Sequence, residues 1–440
     1  MTDILCIVPP FSYGKIDELS SKCPNLGIGI IAAVIEKLSY DVKILDCFGL
    51  ELSKSEIVDK IKEHNPSIIL IGAVTANFRI AIDALKDAKK LNPNVVTIIG
   101  GPHVTVNPKS AFKEGVCDYV VINEAEDIIV DLLAYIKGTT EIKKSEIKGI
   151  MYKDSMGEIV KTDKRGVVKD INALPMPAYH LFPMEKYHSY GWLDLGRKFT
   201  TMITSRGCPF KCTFCQSSMQ AVYWRQRSAD KVFDEIKVLY DKYAIRHIYF
   251  QDDEFCVNHD RVKEICSKIK DANLDLVWEC LTRVNHVDDA LLSAMADAGC
   301  KSIIFGIETG YEEGFKKINK PIDCDMVVRA VRIAQKYNIL AKVSFIMGFP
   351  WEGKDEMKKT IKFSKRVNAD ITFFNVLNPY PGTPVYDEII RDNLFESPDN
   401  FEGHIIHGTD PLLRTNKLSA KELRYWSGRA VLEFYLRPSF

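Results

Sequence analysis

Three cysteines, Cys208, Cys212 and Cys215, lie within eight residues of one another. Thiolates at this spacing can bind a metal centre from one loop, and three of them leave a coordination position open for another molecule. A structural zinc site and inert buried thiols are the two alternatives. Structural zinc takes four Cys or His ligands, and the nearest candidates for a fourth, His188 and His247, are distant in the sequence. The spacing therefore favours a centre completed by a cofactor or substrate.

The segment before the cysteines is a predicted strand, residues 199–204. It begins a series of six strand-and-helix units, whose predicted strands are 199–204, 247–251, 276–280, 302–306, 342–347 and 371–376. Right-handed crossovers curl such a series toward a barrel, but closure at standard geometry takes eight strands. We therefore expect an open, partial (β/α)6 barrel of TIM type, with the cysteines on the loop after its first strand.

Candidate ligand contacts lie at the ends of the second to fifth predicted strands, and those at the second, third and fourth are charged. Asp252 and Asp253 follow the second strand, Arg283 lies at the third, Glu308 follows the fourth, and Met347-Gly348-Phe349 ends the fifth. Active-site residues of barrels come from several strand ends at the same face. A carboxylate and a guanidinium together suit a zwitterionic ligand, which carries an ammonium and a carboxylate. The pattern predicts a ligand site above the cysteines.

The N-terminal third alternates short apolar runs with amphipathic segments, which is typical of a doubly wound, Rossmann-like parallel sheet with helices on both faces. The predicted strands are 4–8, 42–45, 68–71, 95–99 and 119–122. Loops rich in glycine and small residues follow them, and such sheets bind ligands at the carboxyl ends of their strands. We expect four regions: the sheet domain (1–140), a linker with a small hairpin (141–195), the barrel (196–395) and a helical tail (396–440).

Composition limits the class of protein. Lys plus Arg and Asp plus Glu each number 59, so nothing predicts a surface for nucleic acid. The sequence predicts neither a signal peptide nor a transmembrane segment, and we expect a cytoplasmic protein. The scattered cysteines outside the 208–215 segment are expected to be reduced core residues.

The spacing Cys-x3-Cys-x2-Cys, with Phe214 before the last cysteine, resembles the signature of the radical S-adenosylmethionine superfamily. The resemblance implies that Cys208, Cys212 and Cys215 bind a 4Fe-4S cluster whose fourth iron is chelated by S-adenosylmethionine. It also implies that Asp252 and Asp253 contact the methionyl amino group. The other implied contacts are Arg283 with the carboxylate, Glu308 with the ribose or methionyl end, and Phe214, Met347, Gly348 and Phe349 with the cofactor, the last three around its adenine.

The N-terminal loops resemble the cobalamin-binding domain of one large subfamily of these enzymes. The similarity rests on the opening Pro-Pro, the Leu26-Gly27-Ile-Gly helix start, Leu45-Asp-Cys and Gly100-Gly101-Pro102-His103. Two features depart from it: no Asp-x-His-x-x-Gly follows the first strand, and the usual Gly-Glu-Gly-Glu is Asn123-Glu-Ala-Glu. His103 is therefore expected to shape its loop rather than to bind cobalt. The implied cobalamin contacts are Pro10, Leu26, Gly27, Thr75, Asn77, Gly100, Gly101, Pro102, His103 and Glu124.

The activity implied by the resemblance is that of a cobalamin-dependent methyltransferase, acting on an unactivated carbon or phosphorus centre through a 5′-deoxyadenosyl radical. One alternative is a cobalamin-using radical oxidoreductase or cyclase without methyl transfer. Another is a non-enzymatic iron-sulfur binding or sensor protein. The expected partners are a small-molecule, lipid or peptide substrate and an external electron donor of the flavodoxin or ferredoxin type. No individual catalytic residue is assigned, and the sequence does not specify the substrate or the oligomeric state.

Overall fold

Apolar strands and amphipathic helices alternate along most of the chain, and they assemble into two units, residues 1–201 and 202–440. The structure is a computed structural model, and it is described for residues 2–14, 21–189, 196–219, 223–396 and 411–437. Each unit contains one large sheet, of seven strands in the first and six in the second.

The first unit is a doubly wound sheet. Its strands are β1 (Ile4–Val8), β2 (Val42–Asp46), β3 (Ile68–Gly72), β4 (Val96–Gly100), β5 (Tyr119–Val121), β6 (Ile150–Lys153) and β7 (Ile159–Lys161), in the order β2-β1-β3-β4-β5-β6-β7. Its helices are α1 (Leu26–Lys37), α2 (Lys54–His64), α3 (Phe78–Leu91), α4 (Pro102–Val106) and α5 (Glu126–Lys137). Strands β1 to β5 pair in parallel.

Alternate side chains of β1 enter two separate cores, as expected for a sheet covered on both faces. Cys6 packs in the core that contains residues of α1 and α5, whereas Leu5 and Ile7 pack in the core that contains residues of α2 and α3. The predicted Rossmann-like architecture is therefore present.

The segment predicted as a linker belongs to this unit. Its hairpin, β6 and β7, continues the sheet by antiparallel pairing with β5. Farther along, the backbone N–H of Ala178 donates to the carbonyl of Gly29 at 2.9 Å. A Cβ atom at Gly29 would lie 2.9 Å from the Phe182 ring, so this glycine in α1 allows the close approach. Sequence periodicity is weak here because the segment packs through irregular backbone.

The second unit, together with the preceding residues 199–201, is an open barrel. Its strands are β8 (Phe199–Met202), β9 (Ser205–Arg206), β10 (Arg225–Gln226), β11 (His247–Phe250), β12 (Val277–Thr282), β13 (Cys300–Glu308), β14 (Leu340–Met347) and β15 (Ile371–Val376). Its helices are α6 (Gln216–Met219), α7 (Ala229–Lys242), α8 (His259–Asp271), α9 (Asp289–Asp297), α10 (Glu312–Lys317), α11 (Cys324–Lys336), α12 (Lys354–Val367), α13 (Pro384–Arg391) and α14 (Ala420–Tyr435). The sheet order β15-β14-β13-β12-β11-β8 matches the predicted six-stranded partial barrel.

The C-terminal helix α14 protects the open edge of this sheet. The Tyr435 hydroxyl accepts a hydrogen bond from the Thr372 backbone N–H and donates one to the Thr372 carbonyl, both at 3.1 Å. One side chain thus replaces a neighbouring strand at this point of the exposed edge of β15. This helix of the predicted helical tail begins at a capping box formed by Ser419 and Glu422.

Among the described helices, none combines the length and apolar character that crossing a bilayer requires. All twelve cysteines lie in the described residues, and none forms a disulfide.

Candidate active site

The cysteine loop follows β8 and β9 and is fixed by backbone hydrogen bonds on both sides. The Thr213 N–H donates to the Ile318 carbonyl at 3.1 Å, and the Thr213 carbonyl accepts from the Val385 N–H at 3.1 Å. Within the loop, the Cys215 N–H donates to the Cys212 carbonyl at 3.2 Å. Segments that follow β13 and β15 therefore hold the loop that follows β8.

The three thiols differ in exposure. Cys212 is buried, whereas Cys208 and Cys215 are half-buried. Burial raises the pKa of Cys208 to about 11, so iron must displace its proton on binding. In the part of the chain that is described, no three Cys, His, Asp or Glu side chains converge as they would on one metal ion. Ligands of a 4Fe-4S cluster bind different iron atoms and need not converge in that way.

Arg283 lies directly beside the cysteine loop. The Arg283 side chain is buried, its guanidinium carbon lies 3.9 Å from the centre of the Phe210 ring, and its Nη1 donates to Cys212 Sγ at 3.6 Å. Its Nε donates to Asn285 Oδ1 at 3.2 Å. Among the described residues, nothing accepts a hydrogen bond from the remaining nitrogen, Nη2, although it is buried. An unpaired buried guanidinium donor is costly unless an anion binds it.

Asp252 and Asp253 are adjacent in sequence but differ in environment. Asp252 is buried, and its carboxylate accepts three hydrogen bonds of 2.6 Å, from the Thr204 N–H, the Thr204 hydroxyl and the Ser205 hydroxyl. This contact turns the chain out of β8 and explains why the strand ends at Met202 rather than at the predicted Thr204. Asp253 is exposed. Desolvation by surrounding protein atoms raises the Asp253 pKa, and a hydrogen bond from Ser217 opposes the shift.

Glu308 ends β13 with a φ of +73°. Its Oε1 accepts from Lys320 Nζ at 3.0 Å, and Lys320 also donates to the Gly306 carbonyl at 2.7 Å. A Cβ at Gly306 would lie 2.5 Å from Glu308 Oε1. Glycine at position 306 therefore provides the space into which the carboxylate folds.

The turn after β14 is organised by a residue that the sequence analysis missed. Glu352 Oε2 accepts from the N–H groups of Gly348 and Phe349 at 2.8 and 3.1 Å, and Oε1 accepts from the Tyr311 hydroxyl at 3.1 Å. Burial raises the Glu352 pKa to about 7. The available signal was a carboxylate in the loop just after the predicted Met347-Gly348-Phe349 turn.

Aromatic rings connect this turn to the cysteine loop. The Phe349 ring lies 5.8 Å from the Phe214 ring in an edge-to-face arrangement and stacks on Trp351 at 5.0 Å. Met347 and Phe349 are buried, and Gly348 has a φ of +103°. The predicted residues Phe214 and Phe349 are therefore neighbours.

The carboxyl edge of the first sheet is closed by hydrogen bonds between its loops. The Asn77 side chain donates to the Pro9 carbonyl at 3.1 Å, which joins the loop after β3 to the loop after β1. The His103 N–H donates to the Ala73 carbonyl at 3.2 Å, which joins the loops after β4 and β3. Gly101, with a φ of +104°, allows this approach, because a Cβ there would lie 2.6 Å from the Ala73 carbonyl oxygen.

Both ring nitrogens of His103 are occupied. Nδ1 lies 3.2 Å from the Thr75 hydroxyl and Nε2 lies 3.2 Å from the Ser110 hydroxyl. Since the Ser110 hydroxyl donates to the Asn107 carbonyl, it accepts from Nε2–H, and Nδ1 accepts from Thr75. The imidazole also stacks on Phe78 at 3.9 Å, and desolvation lowers its pKa to about 4. This neutral ring stabilises its loop.

The altered loop after β5 keeps a backbone conformation that suits glycine. Asn123 has a φ of +68°, and asparagine is among the few residues that tolerate this region. Ala125 has a φ of −97°, which needs no glycine. The Asn123 N–H donates to the Thr105 hydroxyl at 3.0 Å. Replacement of the two glycines is therefore compatible with this backbone.

The other residues predicted to contact cobalamin lie on the same loops or at the start of α1. Leu26 is the buried first residue of α1 and Gly27 is exposed, after the N-cap Asn25. Pro10 is buried, whereas Pro102 is exposed at the start of α4. Glu124 accepts from the Val168 N–H at 2.7 Å, so one of its carboxylate oxygens contacts the following connector.

Comparison with known proteins finds one family model in each of the two units. Residues 202–364 match the model of the radical SAM superfamily, and residues 16–133 match the model of the B12 binding domain. An uncharacterized methyltransferase of Pyrococcus horikoshii is 34% identical over 437 residues, covering 99% of this chain and 93% of that protein. The chain therefore belongs to the family of cobalamin-dependent radical S-adenosylmethionine methyltransferases and is a radical S-adenosylmethionine enzyme, which confirms the sequence prediction.

Two further relatives are named for two reaction classes, a methyltransferase and a cyclase. Cytidylyl-2-hydroxyethylphosphonate methyltransferase of Streptomyces wedmorensis is 27% identical and covers 85% of this chain and 79% of its own length. Anaerobic magnesium-protoporphyrin IX monomethyl ester cyclase of Rubrivivax gelatinosus is 24% identical, with 98% and 78% covered.

A solved structure shows the same fold. The cobalamin-dependent S-adenosylmethionine radical enzyme OxsB, with aqua-cobalamin and S-adenosylmethionine bound, matches with a TM-score of 0.80 at 18% identity. The match covers 98% of this chain and 66% of the longer OxsB chain. The predicted cofactors, a 4Fe-4S cluster, S-adenosylmethionine and cobalamin, are confirmed for the family. The roles of individual residues remain predictions.

Proposed function

We propose that this protein transfers a methyl group to an unactivated carbon or phosphorus centre of its substrate. The observation that carries the proposal is the buried Nη2 of Arg283 beside Cys212, for which the described residues offer no hydrogen-bond acceptor. This donor suits the carboxylate of a methionyl group placed next to a cluster on the three cysteines. The methyltransferase relatives, which span nearly the whole chain, support the reaction class.

When bound, the three cofactors supply one-electron cleavage of a sulfonium and a transferable methyl group. The chain's residues bind and orient them. Cys208, Cys212 and Cys215 hold the cluster, Arg283 binds the methionyl carboxylate, and the exposed Asp253 binds the ammonium. Partial desolvation and the nearby carboxylates of Asp252 and Glu254 raise the Asp253 pKa, so a bound cation would be favourable there.

Asp252 acts as a positioning residue, because both of its carboxylate oxygens already accept hydrogen bonds from Thr204 and Ser205. Glu308, held by Lys320, faces the ribose or methionyl end. Met347, Gly348 and Phe349 contact the adenine, on a turn that Glu352 fixes through two backbone N–H groups. Phe214 packs beside them.

Residues at the carboxyl edge of the first sheet would hold cobalamin, and His103 would stabilise its loop rather than bind cobalt. The contact set is the one predicted from the sequence, with His103 as a loop-stabilising residue. The two occupied nitrogens of its ring support this assignment.

The substrate is a small molecule, lipid or peptide. Nucleic acid is not the substrate, since basic and acidic residues are equal in number and the sequence shows no excess of positive charge. An external one-electron donor of the flavodoxin or ferredoxin type reduces the cluster. Such donors and reduced thiols occur in the cytoplasm, which is the proposed location.

A methyl-transfer assay without the unidentified substrate tests the proposal. Reconstituted protein loaded with hydroxocobalamin and a reductant is incubated with S-adenosylmethionine labelled in its methyl group. The label should elute with the corrinoid in amounts close to one per protein. A protein that binds both cofactors and leaves the label on S-adenosylmethionine would contradict methyl transfer.

The second candidate is a radical cyclase or oxidoreductase that uses cobalamin without methyl transfer. The cyclase relative that covers 98% of the chain favours it. That reading predicts formation of 5′-deoxyadenosine with no label on the corrinoid.

A further inference from the structure

Arg283 has no carboxylate partner in the part of the chain that is described. Its acceptors there are the Asn285 side-chain oxygen and Cys212 Sγ. The residues Arg283 and Cys212 are 5% and 8% exposed. A buried guanidinium is stable only when negative charge compensates it, and a metal-bound thiolate at Cys212 would provide such charge.

The contact with Cys212 has the geometry of a directed hydrogen bond. The separation of Nη1 and Sγ is 3.6 Å, which suits a sulfur acceptor. The Phe210 ring lies under the guanidinium at 3.9 Å, and Asn285 accepts from Nε. Because Phe210 belongs to the cysteine loop itself, the loop and the guanidinium are held together as one arrangement.

We infer that Arg283 raises the reduction potential of the cluster by donating a hydrogen bond to the Cys212 thiolate. Reduction adds one electron from the external donor to the cluster, and a cationic donor stabilises the added negative charge. The inference rests on the proposed function, since it needs the cluster on Cys208, Cys212 and Cys215. The same guanidinium thus has two tasks: Nη1 acts on the cluster, and Nη2 is left for the methionyl carboxylate.

The test is a redox titration of the anaerobically reconstituted protein without S-adenosylmethionine, followed by electron paramagnetic resonance of the reduced cluster. Arg283→Gln should lower the equilibrium constant for reduction about tenfold, a shift of about 59 mV to more negative potential for one electron. The matched control is Arg246→Gln. Arg246 also lies on an aromatic ring, at 3.4 Å from the centre of Tyr240, but it precedes β11 at the amino end of the strand. Its loss should leave the potential unchanged.

A second measurement does not depend on a variant that folds. Protein labelled with ¹⁵N-arginine should show coupling of a ¹⁵N nucleus to the reduced cluster in pulsed electron paramagnetic resonance, and Arg283→Lys should abolish it if the variant holds iron. Absence of this coupling in the parent protein would overturn the inference, as would an unchanged potential in Arg283→Gln with full iron content. Failure of the parent protein to hold about four irons would instead contradict the proposed function.

Discussion

The two units each place a candidate ligand site at the carboxyl edge of a parallel sheet, but the two edges are built differently. In the barrel unit, the edge carries buried charge that the described residues do not fully satisfy, above all Nη2 of Arg283. In the first unit, hydrogen bonds within and between neighbouring loops already use the polar side chains of His103, Thr75 and Asn77. From this difference we predict that the barrel recognises a charged ligand by pairing, whereas the first sheet recognises a large ligand by shape and close backbone approach.

The strongest test within the barrel edge separates Asp252 from Asp253. Asp252→Ala removes the acceptor of three hydrogen bonds to the start of the cysteine loop, which should cost more than about 3 kcal/mol of stability, and the cluster should be lost with it. Asp253→Ala is the matched control for the neighbouring carboxylate. It should keep the melting temperature and the iron content while weakening S-adenosylmethionine binding.

Equal effects of the two substitutions on melting temperature would contradict the assignment of a structural role to Asp252 and a ligand-binding role to Asp253. Unaltered S-adenosylmethionine affinity in Asp253→Ala, measured by equilibrium titration, would remove that residue from the proposed ligand set.

A pH titration sharpens the account of the turn after β14. Burial raises the Glu352 pKa from 4.5 to about 7. The neutral carboxyl is thus favoured in the folded state. Its contribution to the free energy of unfolding is full below about pH 4.5 and is lost as the pH rises through about 7. The loss can reach about 3 kcal/mol, since one pKa unit is worth about 1.4 kcal/mol. Glu352→Gln should remove this loss.

The measurement is the difference in thermal stability between Glu352→Gln and the parent protein at pH 5 and at pH 8. The difference should shift in favour of the variant at pH 8. The same difference at both pH values would show that Glu352 is not buried as a high-pKa carboxyl.

Shape recognition in the first unit predicts that a methyl group at Gly101 impairs cobalamin binding. A Cβ there would lie 2.6 Å from the Ala73 carbonyl, and backbone strain of this kind costs about 1–3 kcal/mol. Gly101→Ala should therefore weaken hydroxocobalamin binding about tenfold or more. Gly157→Ala is the control, because Gly157 has a φ of +85° but nothing within 4 Å of its added Cβ. A comparable loss of affinity in both variants would point to general destabilisation.

The smallest effect is expected from His103→Ala on the spectrum of bound cobalt. With both His103 nitrogens hydrogen-bonded, the Co(II) form should show no nitrogen splitting of its hyperfine lines, in the parent protein or in His103→Ala. A triplet in the parent protein that disappears in His103→Ala would show that the imidazole leaves its loop to bind cobalt.

The sequence predicted both sheets, because apolar periodicity is a local signal. Thiol spacing is also local and singled out the cysteine loop, but the roles of the cysteines and of the strand-end residues stay predictions. It could not separate Asp252 from Asp253, since only the folded chain shows which carboxylate meets Thr204 and Ser205. It missed Glu352, whose carboxylate accepts hydrogen bonds from backbone N–H groups of the turn before it. The role of Tyr435 could not be predicted either, because its hydrogen-bond partner on the edge of β15, Thr372, is 63 residues away in the sequence.

The measurement that tests the central claim most directly is reductive cleavage of S-adenosylmethionine. Anaerobically reconstituted protein, with a strong reductant or a reduced flavodoxin, should hold about four irons and form 5′-deoxyadenosine. The variant with Cys208, Cys212 and Cys215 all replaced by Ala should do neither, whereas Cys324→Ala, a half-buried thiol of the same unit, should do both. Full iron in the triple variant, or equal 5′-deoxyadenosine from the parent and the triple variant, would contradict the account.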